Sequence, residues 1–375
     1  MRGLLAILAV AASLPAAALS LEDFRDPQDG RFDTSRFLLD LNGFLPLPFI
    51  ITEPAIGYGG GAALLFFDRN APPPGAAARE GRFVPPDITA AGGMATENGT
   101  RGGFAGHLGF SSDGNWRYVG AVARTSLNLS WFGADFLPGA GSAGRDYNLD
   151  ADLLVADVRR RIPGTDWMAG LRYVRADTQS RFDLGRPAEV PQRSLDVAIG
   201  GLALVAEYDD RDSIFTPGSG KRITAYVHDF APRWGGDQSF RLYKAAVNAF
   251  ASPRRDLVLG GRLDWRGSSG NTPFYALPFV ELRGIPALRY QGEQAAVAEV
   301  EARWNLDGRW SAVGFGGAGR AAGPEEGLGS AKTRWAGGVG IRYFLARAMG
   351  LHVGVDVARG PEEGAFYIVM GSAWR

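Results

Sequence analysis

Apolar and polar side chains trade places residue by residue along much of the chain. From Ala296 to Leu306 the even positions are Ala296, Ala298, Val300, Ala302, Trp304 and Leu306, and the odd ones Val297, Glu299, Glu301, Arg303 and Asn305. Leu257, Leu259, Gly261, Leu263 and Trp265 oppose Val258, Gly260, Arg262, Asp264 and Arg266 in the same way, and the pattern recurs over 334–345 and 351–357. A period of two means strands, because successive side chains leave opposite faces of a sheet. The pattern predicts strands at 55–67, 87–97, 102–112, 115–131, 145–160, 166–177, 197–209, 220–230, 238–251, 255–267, 295–306, 309–319, 332–346, 349–358 and 365–375. Asn98-Gly99 and Asp113-Gly114 suit tight turns between them. A barrel with both ends on one side needs an even number of strands. A further crossing around Asn42–Thr52 is therefore expected, giving sixteen, with fourteen as the fallback if one early pair is a loop.

A soluble sandwich would also alternate. Three features favour an all-β, transmembrane antiparallel barrel. The segments are about ten residues long, the length of a tilted bilayer crossing. Their polar face mixes glycine with charges of both signs, as a lumen does. Tryptophans near strand ends (Trp116, Trp131, Trp167, Trp265, Trp304, Trp310, Trp335, Trp374) fit interface girdles. Closure also satisfies every backbone group in lipid. Residues 1–20 read as a signal peptide: Arg2, an apolar run from Gly3 to Leu14, then small residues at Ala16, Ala18 and Ser20. The expected organisation is signal peptide 1–20, a short periplasmic segment 21–47 and an outer-membrane barrel over 48–375.

Composition narrows the chemistry. Glycine supplies 53 of 375 residues, about twice its usual 7% share. Forty basic and forty acidic residues leave no basic footprint for nucleic acid. The absence of cysteine removes disulfides, thiolate nucleophiles and thiolate metal sites. His107, His228 and His352 lie far apart, near Ser111, Asp229 and Asp356 respectively, without a nucleophile motif; no catalytic site, metal site or cofactor is expected. Arg159, Arg160 and Arg161 are expected to form a charged rim facing the periplasm or lipid phosphates.

Two motifs go beyond generic barrel chemistry. Glu207-Tyr208-Asp209-Asp210-Arg211-Asp212 is followed by Phe215-Thr216-Pro217-Gly218-Ser219-Gly220, a strand ending in acids and an arginine before a Pro-Gly turn. Leu282-Arg283-Gly284-Ile285 lies in the long link before the 295–306 strand. Together they resemble the BamA/TamA family of outer-membrane barrels, the bacterial surface antigen superfamily. The last strand, with Phe366, Ile368, Met370 and Trp374 on one face, is similar to that family's terminal strand. The resemblance implies that Arg283 and Gly284 fold back into the lumen, where Glu301, with Glu299 beside it, would hold the guanidinium. It also implies that Asp209, Asp210, Arg211, Asp212, Pro217 and Gly220 form a periplasmic turn. A cation held by the aspartates is the alternative for that turn. The family's next strand usually offers an aspartate before a glycine; here Phe315-Gly316-Gly317-Ala318-Gly319 offers none, so a looser loop is expected. About thirty residues between signal and first strand leave no room for the family's periplasmic POTRA modules.

The function implied is protein or lipid insertion or translocation at the outer membrane, through a weak seam between first and last strands. The alternative is a passive or plugged pore, or a structural surface protein. The expected partners are outer-membrane lipid and a periplasmic or accessory protein acting in trans, with no nucleic acid.

Overall fold

The computed structural model describes residues 21–40, 43–68, 87–111, 113–132, 144–182 and 194–374. The signal reading and most of the links at 69–86, 132–144 and 179–195 lie outside the described residues. Sixteen strands follow one another around a single antiparallel sheet. The first six are β1 (Gly43–Ile51), β2 (Gly59–Asp68), β3 (Asp87–Thr96), β4 (Arg101–Phe110), β5 (Trp116–Trp131) and β6 (Arg145–Arg161). Next come β7 (Trp167–Phe182), β8 (Ser194–Asp209), β9 (Gly220–Phe230), β10 (Phe240–Arg254) and β11 (Leu257–Gly270). The last are β12 (Gln294–Asn305), β13 (Trp310–Ala322), β14 (Arg334–Ala346), β15 (Leu351–Arg359) and β16 (Gly364–Met370). β1 occupies the stretch where a sixteenth crossing was expected. β2 begins at Gly59 rather than 55, because 52–58 turn the chain so that Ile51 pairs with Gly59.

The alternation sorts side chains as a membrane barrel requires. Tyr118, Val158, Leu171, Leu204 and Val227 form one continuous outward row across β5 to β9, and each is exposed. On the opposite face Asp157, Arg159, Glu207, Asp264, Glu299, Arg342 and Asp356 are buried in the lumen. Among the described residues no helix is long and apolar enough to cross a membrane. Trp116, Trp265, Trp304, Trp310 and Trp335 face outward. Trp131 and Trp374 do not. Trp131 shares the inward parity of Leu129 on β5 and packs in a core with Tyr147, Leu149 and Phe182.

Three further expectations are corrected. Arg159 is no lipid-facing rim residue: it shares the face of Asp157 and is buried between Asp157 and Glu207. Only its neighbour Arg160 points outward, over the Trp116 ring. The terminal strand stops at Met370, not at 375. Phe366, Ile368 and Met370 face outward, but Gly371 takes φ +78° and turns the tail inward, leaving Trp374 buried.

The two rims differ. The rim carrying the 271–293 loop is called upper here and the opposite one lower. At the lower rim, residues 21–40 form a 3-10 turn and a short helix, α1 (Ser35–Asp40), just before β1.

Candidate functional site

The loop between β11 and β12 folds into the lumen. Val280, Leu282 and Ile285 are buried there with Val297. Bare glycine positions make the close approach feasible. A Cβ on inward-facing Gly317 would stand 2.8 Å from Leu282, and one on Gly319 2.5 Å from Val280. The glycine-rich stretch of β13 that offers no aspartate is thus the groove in which the loop lies.

At the tip, Arg283 reaches three carboxylates. Its Nε donates to Glu299 Oε1 at 2.9 Å, and its Nη1 to Asp356 Oδ2 at 2.7 Å. Nη2 lies 2.8 Å from Glu301 Oε2. The guanidinium sits 3.6 Å above the Phe315 ring centroid, a stacking contact suited to a flat, weakly hydrated cation. Arg342 holds Asp356 from the other side with two bonds of 2.6 and 2.9 Å, and Arg262 lies 3.4 Å from Glu299. Arginines 262, 283 and 342 thus interleave with acids 299, 301 and 356, and Arg303 beside Glu301 is met by the Pro217 carbonyl. Pairing is what makes such burial tolerable: removing one partner of a buried pair costs about 3–5 kcal/mol. Gly284, at φ +93°, donates its N–H to the Tyr367 hydroxyl at 2.9 Å. Any Cβ there would stand 2.9 Å from the Arg359 carbonyl carbon. The expected loss of a β13 partner is met twice over, by Phe315 under the cation and by Asp356 from β15.

The tail joins this cluster. Trp374 Nε1 donates to Glu299 Oε2 at 2.8 Å. The indole therefore caps the oxygen that Arg283 leaves free.

The Asp209–Gly220 segment closes the lower mouth. Arg211 makes a two-pronged pair with Asp209, at 2.9 and 2.8 Å. Asp210 accepts from Tyr208 and from the Lys221 N–H. Asp212 accepts from the Gly218 N–H and the Ser219 hydroxyl. Gly220 takes φ +90°, with Asp210 O only 2.6 Å from where a Cβ would be. The aspartates thus serve the turn's own donors. Among the described residues no cluster of His, Asp and Glu is arranged to hold a metal. The turn also reaches across the barrel: Ser372 N–H donates to Phe215 O, Arg303 to Pro217 O, and His352 N–H to Thr216 Oγ1.

A second inward charge cluster was not foreseen as a site. Glu207, 3% exposed, faces Arg117, Arg159 and Arg222 at 3.0, 2.8 and 2.8 Å. Its signal was legible in the register: Glu207 and Arg159 both occupy lumen parity on strands separated only by β7.

Among the described residues the sheet stays open between its first and last strands. β1 pairs with β2 and β16 with β15, yet β1 and β16 share no ladder. The Tyr58 and Phe366 rings stack across this seam, with centroids 5.2 Å apart. β1 carries Pro46 and Pro48, which have no N–H to offer. Two positions apart, their nitrogens face one side; beside an unbroken ladder with β2 that side is the free edge. A lumen cavity of about 640 Å³ reaches the seam, its lining including Ile51, Thr52 and Glu53 on one side and Ile368, Val369 and Met370 on the other.

No protein-family model and no curated protein matches this sequence. In structure the chain is similar to BamA from Haemophilus ducreyi lacking POTRA domains 1–3, with TM-score 0.59 and 11% identity, over 88% of this chain and 70% of that one. It is also similar to CdiB from Escherichia coli (TM-score 0.58, 10% identity, 86% of this chain and 61% of that one). CdiB from Acinetobacter baumannii gives 0.57, 11%, 88% and 59%. This chain therefore spans about six-tenths of the CdiB chains. The fold is that of the BamA-type sixteen-stranded barrels, the family that the two sequence motifs resemble.

Proposed function

We propose that this protein is an outer-membrane barrel of a Gram-negative-type bacterium that inserts or translocates protein or lipid through the seam between β1 and β16. The observation that carries the reading is the missing ladder between those strands. Unpaired backbone groups are expensive in lipid, and a free strand edge is a template for another strand. Two prolines on β1 and the seven-residue length of β16 keep the edges from zipping shut. The lumen cavity gives a transiting chain a polar surface beside the opening. The 21–40 segment and the Asp209–Gly220 turn then face the periplasm, where an accessory protein would act in trans, and the rim from which the 271–293 loop dips inward faces the cell exterior. The buried Val280, Leu282 and Trp374 disfavour a wide passive pore.

The chain has no cysteine, so Ile50→Cys with Ile368→Cys, both outward on the seam strands, can be joined by a short bifunctional thiol reagent. Joining is expected to slow insertion of an unfolded barrel client into liposomes carrying this protein and to leave ion conductance small. A large steady conductance indifferent to joining, with no effect on client insertion, would establish the passive pore instead.

A further inference from the structure

The N-terminal segment crosses the lower end of the seam, and it is fastened on the far side. Arg309, in the turn between β12 and β13, has no exposed side-chain surface and is enclosed by three carboxylates of that segment. Asp26, Asp29 and Asp33 lie 2.5, 2.7 and 2.6 Å from its guanidinium. Arg347, in the turn between β14 and β15, holds Asp26 and Asp29 at 2.8 and 2.6 Å. Backbone bonds complete the attachment: Thr34 N–H donates to Leu345 O at 2.8 Å, and Arg347 N–H to Asp33 Oδ2 at 3.0 Å. The Tyr343 hydroxyl donates to Phe32 O at 2.7 Å. Immediately afterwards α1 runs to Asp40, and only two residues separate it from β1 at Gly43. The chain is therefore clamped to the β13–β15 side of the seam and covalently joined to the β1 side.

We propose that residues 26–40 are a strap that limits how far β1 can part from β16 at the lower rim. The proposal rests on the seam reading above and adds its restraint. The reach follows from geometry. Six helical residues span about 9 Å at 1.5 Å each, and about 20 Å if drawn out at 3.3 Å each. A helix this short has little stability of its own, so it yields first. With the clamp closed, opening is capped near the drawn-out length; with the clamp broken, no cap remains. Arg309 is the weak point to attack, because replacing it takes the paired cation from Asp33 and leaves Arg347 alone to face Asp26 and Asp29.

Spin labels at Leu45→Cys and Met370→Cys, on opposite sides of the seam and leaving both β1 prolines in place, report its width by pulsed EPR in lipid nanodiscs. The parent protein is expected to give a bounded distance distribution. Arg309→Glu is expected to add a population at distances beyond that bound, because uncoiling of α1 is already open to the parent and release of the clamp removes the cap itself. If Arg309→Glu runs as unfolded protein on unboiled gels, Asp29→Asn with Arg347→Gln, which removes half-buried partners only, carries the same expectation. A folded variant with the parent's distribution overturns the strap. The seam's role is read separately from the joined Ile50/Ile368 pair. Blocked client insertion with an unchanged distribution sinks the strap and spares the seam. Unaffected insertion with a widened distribution sinks the seam's role and leaves the strap standing.

Discussion

β6 contains two proteins' worth of patterning on one strand. Its inward side chains run Tyr147, Leu149, Ala151, Leu153, Val155, Asp157, Arg159, from apolar at the upper end to charged at the lower. Its outward ones run Asp146, Asn148, Asp150, Asp152, Leu154, Ala156, Val158, from polar to apolar. The inversion falls near the middle. Below it lipid bathes the outside, and the lumen holds Asp157, Arg159, Arg172 and Glu207. Above it the strand stands clear of the bilayer and the outside is wet, with Arg124 paired to Asp152 at 2.5 Å and Gln179 bonded to Asp196. The inside there is a core: Leu129, Trp131, Tyr147, Leu149 and Phe182, with Phe274 and Tyr275 of the loop packed against them. Length makes this possible. Seventeen residues in β6 extend about 56 Å at 3.3 Å each, against about 33 Å for the ten of β3. A membrane belt needs greasy outsides and a soluble cap needs greasy insides. The same period of two serves both once the solvent changes.

That contrast can be attacked from either end. The largest effect is expected inside the belt. Arg283→Glu should destabilise the barrel by about 3–5 kcal/mol, seen as lost heat resistance on unboiled gels, and adding Glu301→Arg should restore part of it. Equal mobility for all three proteins would remove charge pairing as the belt's inner principle. In the cap, Phe182→Ala should cost about 3 kcal/mol or more but act locally: protease should cut the ends of β5–β8 while the folded barrel band persists. Loss of both together would show that cap and belt are one cooperative unit. On the outer face the two regions should part most clearly. Leu204→Arg, in the lipid-facing row, should cost about 2–4 kcal/mol, whereas Asp196→Arg, outward and exposed above the belt, loses its bond from Gln179 and should cost no more than about 1 kcal/mol. Urea titration in detergent-free liposomes measures both, and equal losses would end the distinction.

The smallest effect is expected at the strap, outside both regions. The hydrogen bond from Arg309 holds the Asp29 carboxyl well below the usual carboxylate range. Asp307 is lowered to about 2, chiefly by its bond from Arg31 and by the N–H groups of Trp310 and Arg309. Depressed values mean that the clamp's contribution is complete above the ordinary value near 4 and disappears as pH falls toward 2. A spin label at Phe32→Cys should keep its mobility from pH 8 to 5 and gain it only below about pH 3. Mobilisation already at pH 5 would show that the carboxylates are not held by Arg31, Arg309 and Arg347.

Much of this is legible in the sequence. Alternation alone placed β9 at its observed bounds, and parity alone put Glu299, Glu301, Arg342 and Asp356 on the lumen side. Trp131 and Arg159 show where such reading stops. Each obeys its parity, but a girdle or a rim was inferred from position near a strand end, and a strand end carries no mark saying where the bilayer stops. Trp374 failed for another reason: one glycine in a left-handed conformation ends the strand, and the residues that reward the turn, Glu299 and Phe215, are far away in sequence.

The sequence by itself determined the strands, their faces and the two motifs, because a local period of two needs only neighbours to be read. Tertiary structure alone decided which carboxylates meet Arg283, that β1 and β16 stay apart, and that three aspartates before the first strand converge on Arg309. Those partners lie between 16 and more than 280 positions apart along the chain, and only closure of the sheet sets the distances between them.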